Sequence, residues 1–197
     1  MILHDKLTCV YSVWHFSISS TQTRIEEDEP KAATREVTVE HTGIEVLKID
    51  KNLLVIIRDE ADSSHKDVCD GVIATEYPTR LIGYFELKST CTKANVLKAR
   101  KQILDSQHHL YTAFGRCETD CTSFTEKGII VTQPITDEER LKNRKRLQRD
   151  NDRNLQMSAA RFLHRLLNGK VVKTETGITL MHFNADAIIP VSIFQIA

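Results

Sequence analysis

The chain has 197 residues, enough for one domain with a substantial hydrophobic core. Lysine plus arginine and aspartate plus glutamate both number 27, so no overall charge draws the molecule to nucleic acid or to an anionic membrane. No apolar stretch approaches the roughly 20 residues that cross a bilayer, and the N-terminal sequence lacks the pattern of a signal peptide. The five cysteines are odd in number and irregularly spaced, which favours free thiols in a reducing compartment. We therefore expect a soluble intracellular protein, in the cytoplasm or nucleus, without membrane contact.

Strands are predicted in the first half of the chain. The polar stretch 19–34 predicts a loop or a frayed helix. Residues 36–59 contain three short apolar runs with turn residues between them, which predict a meander of strands, and no helix is expected before it. Two further strands are predicted at 67–75 and 81–88.

The second half mixes helices with strands. Apolar residues at helical spacing from 93 to 114 predict an amphipathic helix, and 128–132 predicts a buried strand after it. Thr136 and Glu139 form a capping box, so a helical segment is expected to begin there and to end near Gly169. Residues 170–197 predict a strand pair that turns near Gly177 or Ala185.

These elements define the expected fold class. We predict an α/β (α+β) protein with a central mixed sheet flanked by helices. Residues 1–135 are expected to form the core with an N-terminal extension. Residues 136–197 are expected to add a helical and strand element to the same domain.

Two acidic residues are expected to meet in the hairpin at 67–90. A turn centred on Pro78 places Asp70 directly across from Glu86. Opposed residues have Cβ atoms about 5 Å apart, so two carboxylates there repel each other unless a proton or a cation lies between them. Mg²⁺ or Mn²⁺, which prefers oxygen ligands, relieves that repulsion. Asp70 and Glu86 are therefore candidate metal ligands.

Lys88 completes the candidate site. Because side chains alternate along a strand, it shares a face with Glu86 in an otherwise apolar hairpin, where a charge is costly without a partner. In a hydrolytic reaction the cation polarises a phosphodiester and activates water, and Lys88 orients that water or stabilises developing negative charge. The alternative is an exposed ion pair at an edge strand, because an acidic residue two positions before a lysine is common.

Asp70, then Glu86-Leu87-Lys88 at a strand end, then a helix, resembles the motif of the PD-(D/E)xK nuclease superfamily over about residues 40–135. The resemblance implies a restriction-endonuclease-like core, with the metal on Asp70, Glu86 and the main-chain carbonyl of Leu87, and with Lys88 as the catalytic lysine. Gln107 and Tyr111 resemble the QxxxY motif of the RecB-like branch, which implies a catalytic role for Gln107 and a nucleic-acid contact for Tyr111. From the residues alone, Gln107 is equally a rim residue and Tyr111 a core residue.

The sequence departs from the family pattern at the start of the hairpin and before it. Cys69 stands where the family often has proline. The resemblance also implies an upstream acidic ligand, for which Glu45 is preferred over Glu40 because it lies within an apolar run. His65 is a candidate for the upstream histidine of the RecB-like branch, although a loop histidine is more often only solvated.

A basic segment is the second candidate site. Its cationic side chains cover most of a helix circumference and suit contacts to phosphates rather than to bases, although a solvated face is the ordinary explanation. The predicted nucleic-acid contacts are Lys142, Arg144, Lys145, Arg146 and Arg149.

The sequence therefore predicts a metal-dependent nuclease that uses Mg²⁺ or Mn²⁺ and acts on DNA rather than RNA. An RNA nuclease of the same architecture and a non-catalytic interaction domain on the same scaffold remain alternatives. A homodimer is also left open, because many enzymes of this type act as dimers.

Overall fold

The structure is a computed structural model that describes residues 2–27, 34, 36–60, 64–120, 122–142, 145 and 159–192. The helices are α1 (Ile2–Thr8), α2 (Lys51–Glu60), α3 (Lys93–Arg116), α4 (137–142) and α5 (Ala159–Leu167). The strands are β1 (Phe16–Ser19), β2 (Gln22–Glu26), β3 (Glu36–Glu40), β4 (Val46–Ile49), β5 (Gly71–Thr75), β6 (Leu81–Lys88), β7 (Thr125–Thr132), β8 (Val172–Lys173), β9 (Thr179–Asn184) and β10 (Ile189–Pro190).

The strands form two sheets. A seven-stranded sheet has the order β1-β4-β5-β6-β7-β9-β8, and a three-stranded sheet has the order β10-β3-β2. In the larger sheet β6, β7 and β9 run parallel to one another and the other pairs are antiparallel. The predicted fold class, a mixed sheet flanked by helices, is confirmed.

The seven-stranded sheet is covered on both faces. Even-numbered residues of β6, such as Ile82 and Tyr84, lie in a core with residues of α1, α2, α3 and α5. Odd-numbered residues, such as Phe85 and Leu87, pack instead against the three-stranded sheet, where Ile25 is fully buried. The second cover is thus a sheet and not a helical layer, and burial on both faces explains why β6 is apolar from Leu81 to Phe85.

The hairpin of β5 and β6 has the predicted register. Gly71 pairs with Phe85 and Thr75 pairs with Leu81 around the turn at Pro78. One residue before β5, the Asp70 N–H donates to the Phe85 carbonyl at 2.9 Å. The alternating side chains of this ladder therefore place Asp70 and Glu86 on the same face, towards the helices.

The strand predicted for the third run of the meander is wrong, because Lys51–Glu60 is helix α2. Leu53, Leu54 and Ile57 are buried on one helical face, and the Asp50 carboxylate accepts the Asn52 N–H at 2.9 Å at the start of the helix. A short apolar run is compatible with a buried strand or a buried helix. The aspartate before it was the helix-start signal that the sequence interpretation missed.

Two expectations about the N-terminal part also need correction. Helix α1 precedes the strands, and β2 lies within the stretch predicted as a loop or frayed helix. Thr23 and Ile25 of β2 are buried, at the two-residue spacing of a strand with one covered face. Exposed polar neighbours concealed this alternation.

The later elements agree with the sequence prediction where they are described. Helix α3 buries Val96, Ile103 and Leu110 and connects the parallel strands β6 and β7. The Thr136 hydroxyl accepts the Glu139 N–H at 3.3 Å, which confirms the capping box. Helix α5 ends before Gly169, whose φ of 68° suits the left-handed position after a helix. None of the described helices combines the length and apolar character that a membrane crossing requires.

Candidate metal centre

Two carboxylates lie at the open end of the β5–β6 hairpin. Asp70 is 4% exposed and Glu86 is 0% exposed. The Asp70 Oδ2 atom accepts the Leu87 N–H at 2.8 Å, so this side chain continues the ladder where the strand pairing ends. This contact fixes the Asp70 carboxylate beside Glu86.

Glu27, directly after β2, is the third carboxylate. Oxygen atoms of Glu27, Asp70 and Glu86 lie within 4.8 Å of one another. The small sheet approaches closely here, because a Cβ at Gly71 would lie 2.9 Å from the Ile25 Cδ1 atom. Gly71 therefore lets β2 bring Glu27 to the end of the hairpin.

Two lysines accompany the three acids, and we call these five residues the acidic cluster. Lys51, the first residue of α2, lies with its Nζ atom 2.8 Å from Asp70 Oδ1 and 3.5 Å from Glu27 Oε1. Lys88 forms an ion pair with Glu86 Oε1. The other Glu86 oxygen, Oε2, is buried without a hydrogen-bond partner in the described part of the chain.

Burial dominates the electrostatics of the acidic cluster. It raises the pKa of Glu86 to about 8, and the nearby Asp70 charge adds to this effect while Lys88 opposes it. Burial also raises the pKa of Asp70, against the lowering effect of the hydrogen bonds from Lys51 and Leu87. Burial therefore favours the protonated form of cation-free Glu86, in the way expected for a buried acid beside another acid.

The donor set fits a hard divalent cation. Carboxylate oxygens from three chain segments converge, and Glu86 Oε2, which has no hydrogen-bond partner within the described ranges, is the polar atom that a cation would satisfy. Magnesium and manganese prefer oxygen ligands, whereas zinc and copper sites usually contain histidine or cysteine. Cys69, although adjacent to Asp70, is buried and its thiol pKa is raised by burial to about 12.

Comparisons with protein-family models, with curated proteins and with solved structures found no match for this chain. Any functional assignment therefore depends on the chemistry of the acidic cluster itself.

Gln107 and Tyr111 lie in a different polar cluster. The Gln107 Nε2 and Tyr111 hydroxyl groups donate to Glu126 Oε2 at 2.5 and 2.7 Å, and the Tyr84 hydroxyl donates to Glu126 Oε1 at 2.7 Å. In the sheet, β7 places Glu126 beside Ile82, whereas Glu86 is four residues further along β6, about 13 Å away. Gln107 has the hydrogen-bond partner that its place on the helix face requires, but it is not part of the acidic cluster.

Glu45 and Glu40, the predicted upstream acids, also lie elsewhere. Glu45 is exposed just before β4, at the end of the β4–β5 ladder opposite to Asp70. Glu40 is exposed at the end of β3 remote from Glu27, because Glu40 pairs with Gln22. The prediction of Glu45 as the upstream acidic ligand is therefore wrong, and Glu27 lies beside Asp70 and Glu86 instead.

His65 and the basic segment are separate from the acidic cluster. The His65 ring bonds to Asp105 at 2.9 Å and stacks on His108 with the ring centres 4.2 Å apart. Lys142 and Lys145 are exposed, and Lys142 pairs with Glu138 at 2.7 Å, as a solvated helix face would. The other three predicted phosphate contacts, Arg144, Arg146 and Arg149, lie outside the described residues.

Sequence reasoning missed Glu27 and Lys51. Glu27 follows the alternating pattern of Thr23 and Ile25, and that pattern could have identified it as the next inward-facing residue. Lys51 directly follows the Asp50 cap, so recognition of α2 would have placed it at a helix start facing the sheet end.

Proposed function

We propose that this protein is a divalent-cation-dependent nuclease of the PD-(D/E)xK type that hydrolyses phosphodiester bonds, with DNA as its substrate. The observation that carries the proposal is the fully buried Glu86 Oε2 atom, which finds no hydrogen-bond partner among the described residues although Asp70 and Glu27 lie beside it. A buried polar atom without a partner costs about 1–3 kcal/mol, and more when it is charged. A divalent cation held by the three carboxylates would supply the missing interaction.

Each residue of the acidic cluster has a distinct part in this proposal. Asp70, Glu86 and Glu27 would hold Mg²⁺ or Mn²⁺, with the Leu87 carbonyl as a predicted further ligand. The bound cation would neutralise phosphate charge and lower the pKa of a bound water. Lys88 shares the face of Glu86 and lies against it, so its ammonium can orient the attacking water or stabilise negative charge on the phosphate.

The proposed nucleic-acid partner is DNA, contacted through its phosphates. The basic segment from residue 142 to 149 would contact phosphates without selecting bases, and its exposed members Lys142 and Lys145 are accessible for that role. DNA is proposed ahead of RNA, and an intracellular location is proposed because the described cysteines are free thiols.

A non-catalytic interaction domain is the alternative that one observation favours. Lys51 and Lys88 already provide ammonium partners for the three carboxylates. A buried ion-pair network of this kind can persist for structural reasons alone. Cation binding and cleavage must therefore be measured separately.

The test compares cleavage of single- and double-stranded DNA and RNA with Mg²⁺, with Mn²⁺ and with a chelator. Wild-type protein is expected to cleave only with a divalent cation. Asp70→Asn and Glu86→Gln are expected to lower the rate by about 10²-fold or more, because each removes a charged ligand. Glu45→Gln, which removes an exposed acid outside the acidic cluster, is the matched control and should retain the wild-type rate.

Four results would contradict parts of the proposal. Cleavage that persists in the chelator excludes the cation, and full cleavage by Glu86→Gln excludes this cluster as the active site. Cation binding without cleavage of any of the four substrates would favour the non-catalytic domain. Faster cleavage of RNA than of DNA would show that RNA, and not DNA, is the substrate.

A further inference from the structure

Lys51 and Lys88 contact the carboxylates of the acidic cluster in different ways. The Lys88 ammonium contacts Glu86 Oε1, and Glu86 Oε2 has no hydrogen-bond partner among the described residues, so this oxygen is available. In Asp70, Oδ2 accepts the Leu87 N–H at 2.8 Å and Oδ1 lies 2.8 Å from the Lys51 ammonium. A cation that takes Oδ1 as a ligand therefore approaches the oxygen that Lys51 already contacts.

We propose that Lys51 is an internal competitor of the divalent cation: it joins Asp70 to Glu27 in the cation-free protein and leaves Asp70 when the cation binds. The inference rests on the proposed function, since it assumes that the acidic cluster is a cation site. It adds a residue that lowers the affinity of the site for the cation.

Electrostatic repulsion makes the exchange necessary. An ammonium and a divalent ion that share one carboxylate oxygen lie only a few ångströms apart. Even with the full screening of water, repulsion at about 4 Å changes a binding constant by about tenfold or more. Simultaneous contact of the ammonium group and the cation with Asp70 Oδ1 is therefore unfavourable.

The position of Lys51 allows it to move. It is the first residue of α2, and its side chain is 22% exposed, whereas the side chains of Asp70 and Glu86 are almost completely buried. A flexible four-carbon stem can carry the ammonium from Asp70 into solvent without a change in the helix. The competitor thus leaves from the solvent side while the carboxylates stay in place.

The test measures Mn²⁺ affinity by calorimetry for wild-type protein and for two lysine variants. Lys51→Met removes the competitor but keeps the apolar stem, and it is expected to bind Mn²⁺ about tenfold more tightly. Lys88→Met removes an equal charge from the same cluster and is the matched control. Its gain is expected to be smaller, because Lys88 does not contact the oxygen that the cation needs.

A second measurement uses the wild-type protein, so it does not depend on the folding of a variant. In protein with ¹⁵N-labelled lysine, Mg²⁺ should shift the Nζ resonance of Lys51 as its contact with Asp70 is lost. Lys98, an exposed lysine of α3, should keep its resonance and serves as the internal reference.

The outcomes separate this inference from the proposed function. Wild-type binding with an equal gain in both lysine variants, or with an unshifted Lys51 resonance, overturns the competitor role and leaves the cation site standing. If wild-type and both variants fail to bind Mn²⁺, the cation site itself is wrong and the competitor role falls with it.

Discussion

Glu86→Gln is expected to stabilise the cation-free protein, and to do so more at pH 8 than at pH 5. Burial raises the pKa of Glu86 from 4.5 to about 8, so the folded protein holds a proton that the unfolded chain releases. Linkage between these two pKa values lowers the free energy of unfolding by about 1 kcal/mol at pH 5 and about 4 kcal/mol at pH 8. Glutamine is uncharged, like the protonated acid, so its free energy of unfolding is not lowered in this way.

The sign follows from proton binding. A carboxyl group with a raised pKa binds its proton more tightly in the folded state, so its contribution to stability falls as pH rises from 4.5 to 8. His182 has the opposite effect in acid, because burial lowers its pKa to about 4. Both proteins contain His182, so its effect cancels in the difference between them.

Urea unfolding in a chelator, from pH 5 to pH 8, measures that difference. The free energy of unfolding of Glu86→Gln minus that of wild-type protein should grow across this range. Saturating Mn²⁺ should reduce the difference, because the cation binds ionised Glu86 and not the amide. A difference that stays constant with pH would refute the raised pKa.

Two further predictions concern residues outside the acidic cluster. Glu126→Ala should lower the free energy of unfolding by about 3 kcal/mol, because the buried Tyr84 hydroxyl and the Gln107 amide lose their acceptor. The Mn²⁺ affinity should stay unchanged. Weaker Mn²⁺ binding would show that the polar cluster around Glu126 is coupled to the acidic cluster. Gly128→Ala should cost about 1–3 kcal/mol in urea unfolding, because the new Cβ would lie 2.4 Å from the Leu180 Cδ2 atom; an unchanged midpoint would show that this contact relaxes freely.

The hairpin could be predicted from sequence because its determinants are local. The turn at Pro78 and the alternation of side chains fix which residues oppose each other, so the register around Gly71 and Phe85 follows from about 20 residues of sequence. The meeting of Asp70 and Glu86 is a consequence of that register. The same local information also predicted the helix that follows β6.

Glu27 and Lys51 could not be placed in the same way because neither belongs to the hairpin. Glu27 reaches the acidic cluster only because a second sheet stacks on the first, and its approach depends on the absence of a side chain at Gly71. Lys51 depends on whether residues 51–60 form a helix or a strand, and a short apolar run does not decide this. Contacts between distant segments of the chain, and not local pattern, complete the candidate site.

The formal charge of the acidic cluster links the proton of Glu86, the ammonium group of Lys51 and the divalent cation. When Glu86 is protonated, as its raised pKa favours, the carboxylates of Glu27 and Asp70 balance the two ammonium groups and the cation-free sum is zero. A divalent cation that displaces both this proton and the Lys51 ammonium brings in the same two positive charges that leave. The exchange therefore adds no net charge to a buried site, where an unbalanced charge would cost most. A cation that displaced only the proton would leave the site with one excess positive charge, so departure of Lys51 is the event that makes binding electrostatically neutral.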